Sequence, residues 1–310
     1  MTSASVVLAT LFVATTIHAS KDSLVTSVYS SVSNGYTRKL AADGSPKPEY
    51  YAIARGKYLP GISRDQSIDR VEFPAVAGKV AEFLAGQGYY LAEDSKSADL
   101  LLLITWGTTR PFDDGIYRAG LASLSSAANL ATQTGAVASA ERSPDGIQSP
   151  GAAVANAAQG EFEGQLLQMQ MFEDMRMKSN EHNAKLLGYI REINYRNNPS
   201  RFGGAGSAFD DLIADIESER YFVVVEAYDF RSAVKEQKPR LLWVTRVSIA
   251  RQGNKFDRDM NAMLALASRY FGRESGRLVR QYHEGTVTFG ELRVIGVVDE
   301  SSSDRSKPDQ

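Results

Sequence analysis

The 310-residue chain contains no cysteine. That excludes disulfides, thiolate metal sites, a cysteine nucleophile and a lipid-modified N-terminal cysteine. Histidine is scarce as well: His18, His182 and His283 are the whole set, and none lies in H-E-x-x-H or another ligand spacing. No metal and no cofactor is therefore expected. Neither sign of charge is in excess, since 35 basic residues against 37 acidic ones leave a net charge of −2. Nucleic acid is not the expected partner, because phosphate binding needs a concentrated basic surface. G-x-S-x-G is absent. Ser232 and Lys235 form an S-x-x-K without the K-T-G or S-D-N that would accompany it in a serine hydrolase.

Charge is also missing from Met1 to Ser20, where Val6 to Ile17 forms an apolar stretch followed by His18-Ala19-Ser20. A short apolar core ending at a small residue reads as a secretory signal, cleaved after Ala19. It falls short of the roughly 20 apolar residues that a membrane span needs. No Lys or Arg precedes Lys21, so a retained N-terminal anchor stays open as an alternative. The expected location is the periplasm or the outer envelope.

What remains is ordinary globular material, 43% hydrophobic and 23% charged, enough for a sizeable core without staples. Ser20 to Pro48 reads as a polar lead-in. Glu49 to Leu59 is an aromatic-rich strand closed by Pro60-Gly61. Phe73 to Ala85 is a helix with a first-turn proline, and Val76, Val80, Phe83 and Leu84 form its apolar stripe. Asp99 to Thr108 is a strand apolar enough to be covered on both faces, which makes a βαβ-like opening.

A small-residue helix from Gly120 to Ala140 and a longer one from Ala152 to about Tyr195 predict an αα hairpin, inserted over residues 115–218. The sheet resumes in an antiparallel pair, Tyr221 to Phe230 and Leu241 to Ile249. A helix starting at Asn254 or Asp257 and ending at Gly272 follows, then a last strand from Thr286 to Val298 and a polar tail from residue 299. The expected fold is a single α+β domain over residues 49–298. It has a mixed, largely antiparallel sheet, helices packed on one face and the long hairpin inserted.

Candidate chemistry is sparse. Asp113-Asp114 follows a buried strand, where α/β sheets favour sites, and Arg110 and His283 are the candidate partners for a hydrolase built on that pair. Adjacent carboxylates in a Pro/Gly loop more commonly just start a turn. Arg269, Arg273, Arg277 and Arg280 would form a basic stripe if their helix ran past Gly272 and Gly276; otherwise they sit at a helix carboxyl end. Ala119, Ser123, Ala127, Ala131 and Gly135 recur at four-residue spacing and permit close helix approach. Met169, Met171, Met175 and Met177 cannot share one helix face, so some are exposed or meet a partner, with Met169 and Met175 the binding candidates.

Asp99-Leu100-Leu101-Leu102 after a helix, and the paired strands Tyr221 to Ile249 with Trp243 at the place of the usual tryptophan, resemble a large group of bacterial envelope proteins of unknown function, many of them lipoproteins. The resemblance implies a compact α+β domain in the cell envelope. It departs from that group in lacking the lipobox cysteine and in carrying the long insertion. It supplies no catalytic residues. The leading expectation is an exported, non-enzymatic binding or assembly module that uses its helical insertion on a protein, an envelope component or a second copy. The alternatives are a periplasmic hydrolase using Asp113 or Asp114 and a membrane-associated helical hairpin.

Overall fold

A computed structural model describes residues 24–140, 150–196 and 207–283. The signal-like start, the expected strand at Thr286 to Val298 and the polar tail lie outside the described residues. The fold is α+β, built on one mixed seven-stranded sheet. In chain order its strands are β1 (Leu24–Val32), β2 (Glu49–Leu59), β3 (Tyr89–Leu91), β4 (Leu100–Thr108), β5 (Arg220–Asp229), β6 (Leu241–Ala250) and β7 (Val279–His283). Their spatial order is β3-β2-β4-β5-β6-β1-β7.

Only β2 pairs in parallel, with β3 and with β4, and the remaining pairs are antiparallel. The crossover from β2 runs through the short helix α1 (Gln66–Asp69) and α2 (Phe73–Ala85). Both bounds of β2 and of α2 match the sequence reading. Pro74 sits in the first turn of α2, where its missing N–H costs nothing.

Alternation along β5 divides the core. Tyr221, Val223, Val225 and Ala227 face one side, where α2 and α7 (Phe256–Ser268) cover them. Trp106 and Trp243 are fully buried on this side. Phe73 stacks on Trp106 with centroids 5.8 Å apart, and Tyr89 and Phe271 each lie 5.8 Å from Trp243. Phe222 and Val224 face the other side, against Ala184, Leu187, Tyr189, Leu212 and Ile216 from the foot of the insertion. The helices of the α+β unit thus cover one face, and the insertion covers the middle of the opposite one.

The stretch read as a polar lead-in holds β1, an inner strand between β6 and β7. Its sequence, LVTSVYSSV, hides the strand because Thr26, Ser27 and Ser30 are polar and yet buried. The Ser30 hydroxyl is satisfied by Thr245 Oγ1 at 2.8 Å and by the Tyr270 carbonyl at 2.9 Å. A buried hydroxyl is tolerated where it is hydrogen-bonded.

Candidate interaction surface

The insertion leaves and rejoins the sheet at neighbouring strand ends. Thr109, just past β4, and Arg220, which opens β5, exchange two bonds, and Thr109 makes a third to Ser218. The Thr109 N–H donates to the Arg220 carbonyl at 2.9 Å, the Arg220 N–H to Thr109 Oγ1 at 2.8 Å, and the Thr109 hydroxyl to the Ser218 carbonyl at 3.1 Å. Between them lie α3 (Asp114–Ala140), α4 (Pro150–Leu187), α5 (Ile190–Arg196) and α6 (Ser207–Ile216). The long helix expected from Ala152 to Tyr195 is broken at Gly188. This residue holds φ +82 and lies against the Tyr29 ring, where a Cβ would come within 2.7 Å.

At about 1.5 Å per residue, the 27 residues of α3 span about 40 Å and the 38 of α4 about 57 Å. They pack on each other as an antiparallel coiled coil. On α3 the covered positions include Tyr117, Gly120, Leu124, Ala127, Ala131, Thr134 and Ala138. On α4 they include Ala155, Ala158, Phe162, Gln165, Met169, Phe172 and Arg176. Both sets alternate steps of three and four, the spacing of a heptad seam. The small side of α3 receives the large side of α4: a Cβ on Gly120 would lie 2.9 Å from Met169 Sδ and 3.0 Å from the Phe172 ring. The four-residue repeat of small residues contributes Ala127 and Ala131 to this seam, whereas Ala119 and Ser123 point outward.

The foot is polar and specific. Arg176 grips Glu217 with two bonds, of 2.9 and 3.0 Å, and Asn180 adds a third to the same carboxylate. Buried Asn183 donates to the carbonyls of Arg110 at 3.1 Å and Ile216 at 3.0 Å. Deeper still, Asp215 of α6 accepts from Arg220 Nη1 at 2.7 Å, Arg280 Nη2 at 3.0 Å and the Tyr189 hydroxyl at 3.1 Å. Arg220 is only 1% exposed, and it also donates to Ser248 Oγ at 3.2 Å and to the Val25 carbonyl at 3.2 Å. Burial pushes the Tyr189 hydroxyl above its ordinary value, so it serves as a donor at every physiological pH.

Away from the foot the hairpin turns apolar side chains to solvent. Ile116, Leu130 and Val137 sit on one flank of α3, seven or fourteen residues apart, and are 44–53% exposed. Val154 and Met175, one position before the seam on α4, occupy the adjoining flank at 57% and 53%. Residues 119–140 and 150–160 carry no charged side chain. Met169 is buried in the seam, while Met171, Met175 and Met177 are exposed, so the uneven methionine distribution does leave an apolar surface. No helix among the described residues is long and apolar enough to cross a membrane.

The other sequence candidates fall elsewhere. Asp113 is exposed and accepts the Gly115 N–H at 2.8 Å, a turn that starts α3; only the backbone of Asp114 is described. Arg110 donates Nε to the Pro60 carbonyl at 2.8 Å, and no described bond joins it to Asp113. His283 ends β7, four strand spacings or about 19 Å from β4, so the sheet separates it from the Asp113 loop. The arginines do not form a stripe. α7 ends at Ser268, Gly272 and Gly276 take positive φ, and Arg280 is drawn into β7 to pair with Asp215. Arg269, Arg273 and Arg277 remain exposed around the turns after the helix. Ser232 donates its hydroxyl to the Asp229 carbonyl in a π-helical turn at Arg231–Lys235.

A cavity of about 900 Å³ opens at the sheet end beside α1. Its central charges, Asp65, Arg251 and Glu219, are paired with one another. Asp65 accepts from the Tyr221 hydroxyl, from Ser67 Oγ at 2.8 Å and from Arg251 Nε at 3.0 Å, and Arg251 also pairs with Glu219. Burial alone would raise the Asp65 carboxyl, but the bonds from Tyr221, Ser67 and Arg251 outweigh it and hold it at about 2. No group of three or more metal-ligating side chains occurs among the described residues.

No protein-family model matches the chain, and no curated protein matches it significantly. The geometry of the insertion is therefore the ground on which function is read.

Proposed function

We propose that this chain is an exported envelope protein whose α+β domain serves as a non-enzymatic assembly module, with the α3–α4 hairpin as its contact element. The observation that carries the reading is the row of exposed apolar side chains along one flank of that hairpin, Ile116, Leu130, Val137, Val154 and Met175, whose outer end over residues 119–140 and 150–160 carries no charge. A helix standing in water ordinarily carries charge on its free side, and a contiguous apolar face without a cover marks an interaction site. One face of a two-helix hairpin about 40 Å long and about 18 Å wide offers about 700 Å², close to the share each partner gives to a stable interface. A second hairpin laid on this face would complete a four-helix bundle, with the charge-free outer ends, residues 119–140 and 150–160, free of repulsion between identical copies. Export rests on the signal-like start and on the resemblance to envelope proteins.

Sedimentation equilibrium of the chain from Ser20 onward tests this reading. Removing the whole insertion would strip Asp215 from buried Arg220, so point changes are the better probe. The parent is expected to associate reversibly. Val137→Glu with Met175→Glu should shift it to monomer while its thermal melt stays unchanged, because both side chains are exposed. A parent that is monomeric at all accessible concentrations refutes self-assembly through the hairpin. So does an association that the two charges leave untouched.

A further inference from the structure

The covered cations Arg220 and Arg251 have carboxylate partners, Arg220 with Asp215 and Arg251 with Asp65 and Glu219. Arg246 does not. It lies half-buried on the insertion side of β6, and its side chain makes no hydrogen bond or ion pair with any described residue. Its guanidinium borders a cavity of about 270 Å³ between the sheet and the last turns of α4, shared with Thr105, His182, Lys185, Leu186, Val224 and Glu226.

Register explains why the cavity is there. Tyr29, Arg246, Val224 and Thr105 are cross-strand neighbours on β1, β6, β5 and β4, one row across the sheet. Lys185 and His182 look onto that row from α4. Two carboxylates are near, but Glu226, which accepts from the Tyr228 hydroxyl at 3.3 Å, makes no ion pair with Arg246, and Glu181 pairs with Lys185. Burial lowers the arginine from its ordinary value, and the attraction of Glu226, Tyr29 and Tyr228 does not fully offset the lost water.

From this cavity, its unpaired guanidinium and its apolar walls we infer that the site binds a small carboxylate carrying a short aliphatic chain. The carboxylate takes the planar fork of Arg246, which suits two oxygens at once, and Lys185 adds a second cation. The chain lies against Leu186 and Val224. The volume sits just below the range of drug-sized ligand pockets, which limits the occupant to a few carbon atoms.

The experiment is a saturation-transfer NMR titration of the full chain with butyrate, run beside inorganic phosphate in a thermal melt at matched ionic strength. Butyrate is expected to receive saturation at its methyl protons and to raise the melting temperature in a saturable way, with phosphate raising it less. Arg246→Met should abolish both butyrate effects. Because an arginine change in a strand can disturb folding, Lys185→Met is the companion. Its side chain is 63% exposed, and it should weaken butyrate on the order of fivefold with the melt of the free protein unchanged. Butyrate effects that survive Arg246→Met, or no transfer in the parent, overturn the site. Equal stabilisation by phosphate and butyrate overturns the part assigned to the apolar wall.

Discussion

Replacing Asp215 by Ala removes the one carboxylate that three buried or half-buried donors share. Arg220, 1% exposed, loses a 2.7 Å ion pair, Arg280 loses one of 3.0 Å, and the Tyr189 hydroxyl loses its 3.1 Å acceptor. Breaking a buried pair by deleting one partner costs about 3–5 kcal/mol, since the remaining charge stays desolvated. Arg220 keeps neutral acceptors at Ser248 and Val25, and Arg280 is 22% exposed, so the lower end applies, about 3 kcal/mol. For a chain of this size that corresponds to a melting temperature lower by about 6–12 °C. Urea unfolding followed by far-UV circular dichroism and by tryptophan emission measures it, because Trp106 and Trp243 are both buried in the sheet. The companion variant, Asp215→Leu with Arg220→Met, removes both desolvated charges and should return to within about 1 kcal/mol of the parent. An Asp215→Ala variant within 1 kcal/mol of the parent would refute the reasoning, as would a double variant no more stable than the single one.

Two further outcomes follow from the same geometry. Gly272→Ala places a side chain at φ +68 with its Cβ 2.0 Å from the Tyr89 hydroxyl, in a fully buried cluster. Backbone strain and the displaced ring together should cost about 2–4 kcal/mol in urea unfolding, and a loss below 1 kcal/mol would show that the turn simply moves. The Asp65 carboxyl stands at about 2 in the folded chain against 3.8 when free. A depressed folded value contributes stability that is full above 3.8 and lost as pH falls from there through about 2. The parent should therefore lose stability more steeply across that window than Asp65→Asn does, and parallel acid limbs would show that Tyr221, Ser67 and Arg251 do not favour the charged form.

Local pattern was enough to delimit β2, α2 and the β5–β6 pair, because in each the apolar period and the Pro or Gly punctuation agree. It also announced a helical hairpin and an uneven spread of methionines. It failed where stability comes from partners distant in sequence. Ser30 reads as linker because the groups that satisfy its hydroxyl, on Val244, Thr245 and Tyr270, lie more than 200 residues away. Arg220 sits in a polar stretch, Glu217 to Arg220, and nothing local says that Asp215, Ser248 and Val25 will close around it. The same holds for the candidate sites. Asp113-Asp114 looked like chemistry by adjacency, yet Asp113 spends its carboxylate on the Gly115 N–H. Arg246 reads as one more charge in a strand, and only the row it shares with Tyr29, Val224 and Thr105 leaves its side chain without a bonded partner among the described residues.

By itself the sequence determined the class of fold, the absence of thiol chemistry and the existence of the insertion, since composition and short-range periodicity depend only on neighbours along the chain. The tertiary structure decided which polar groups are buried, which methionines face solvent and where a cation is left unpaired, since each depends on which strands and helices meet.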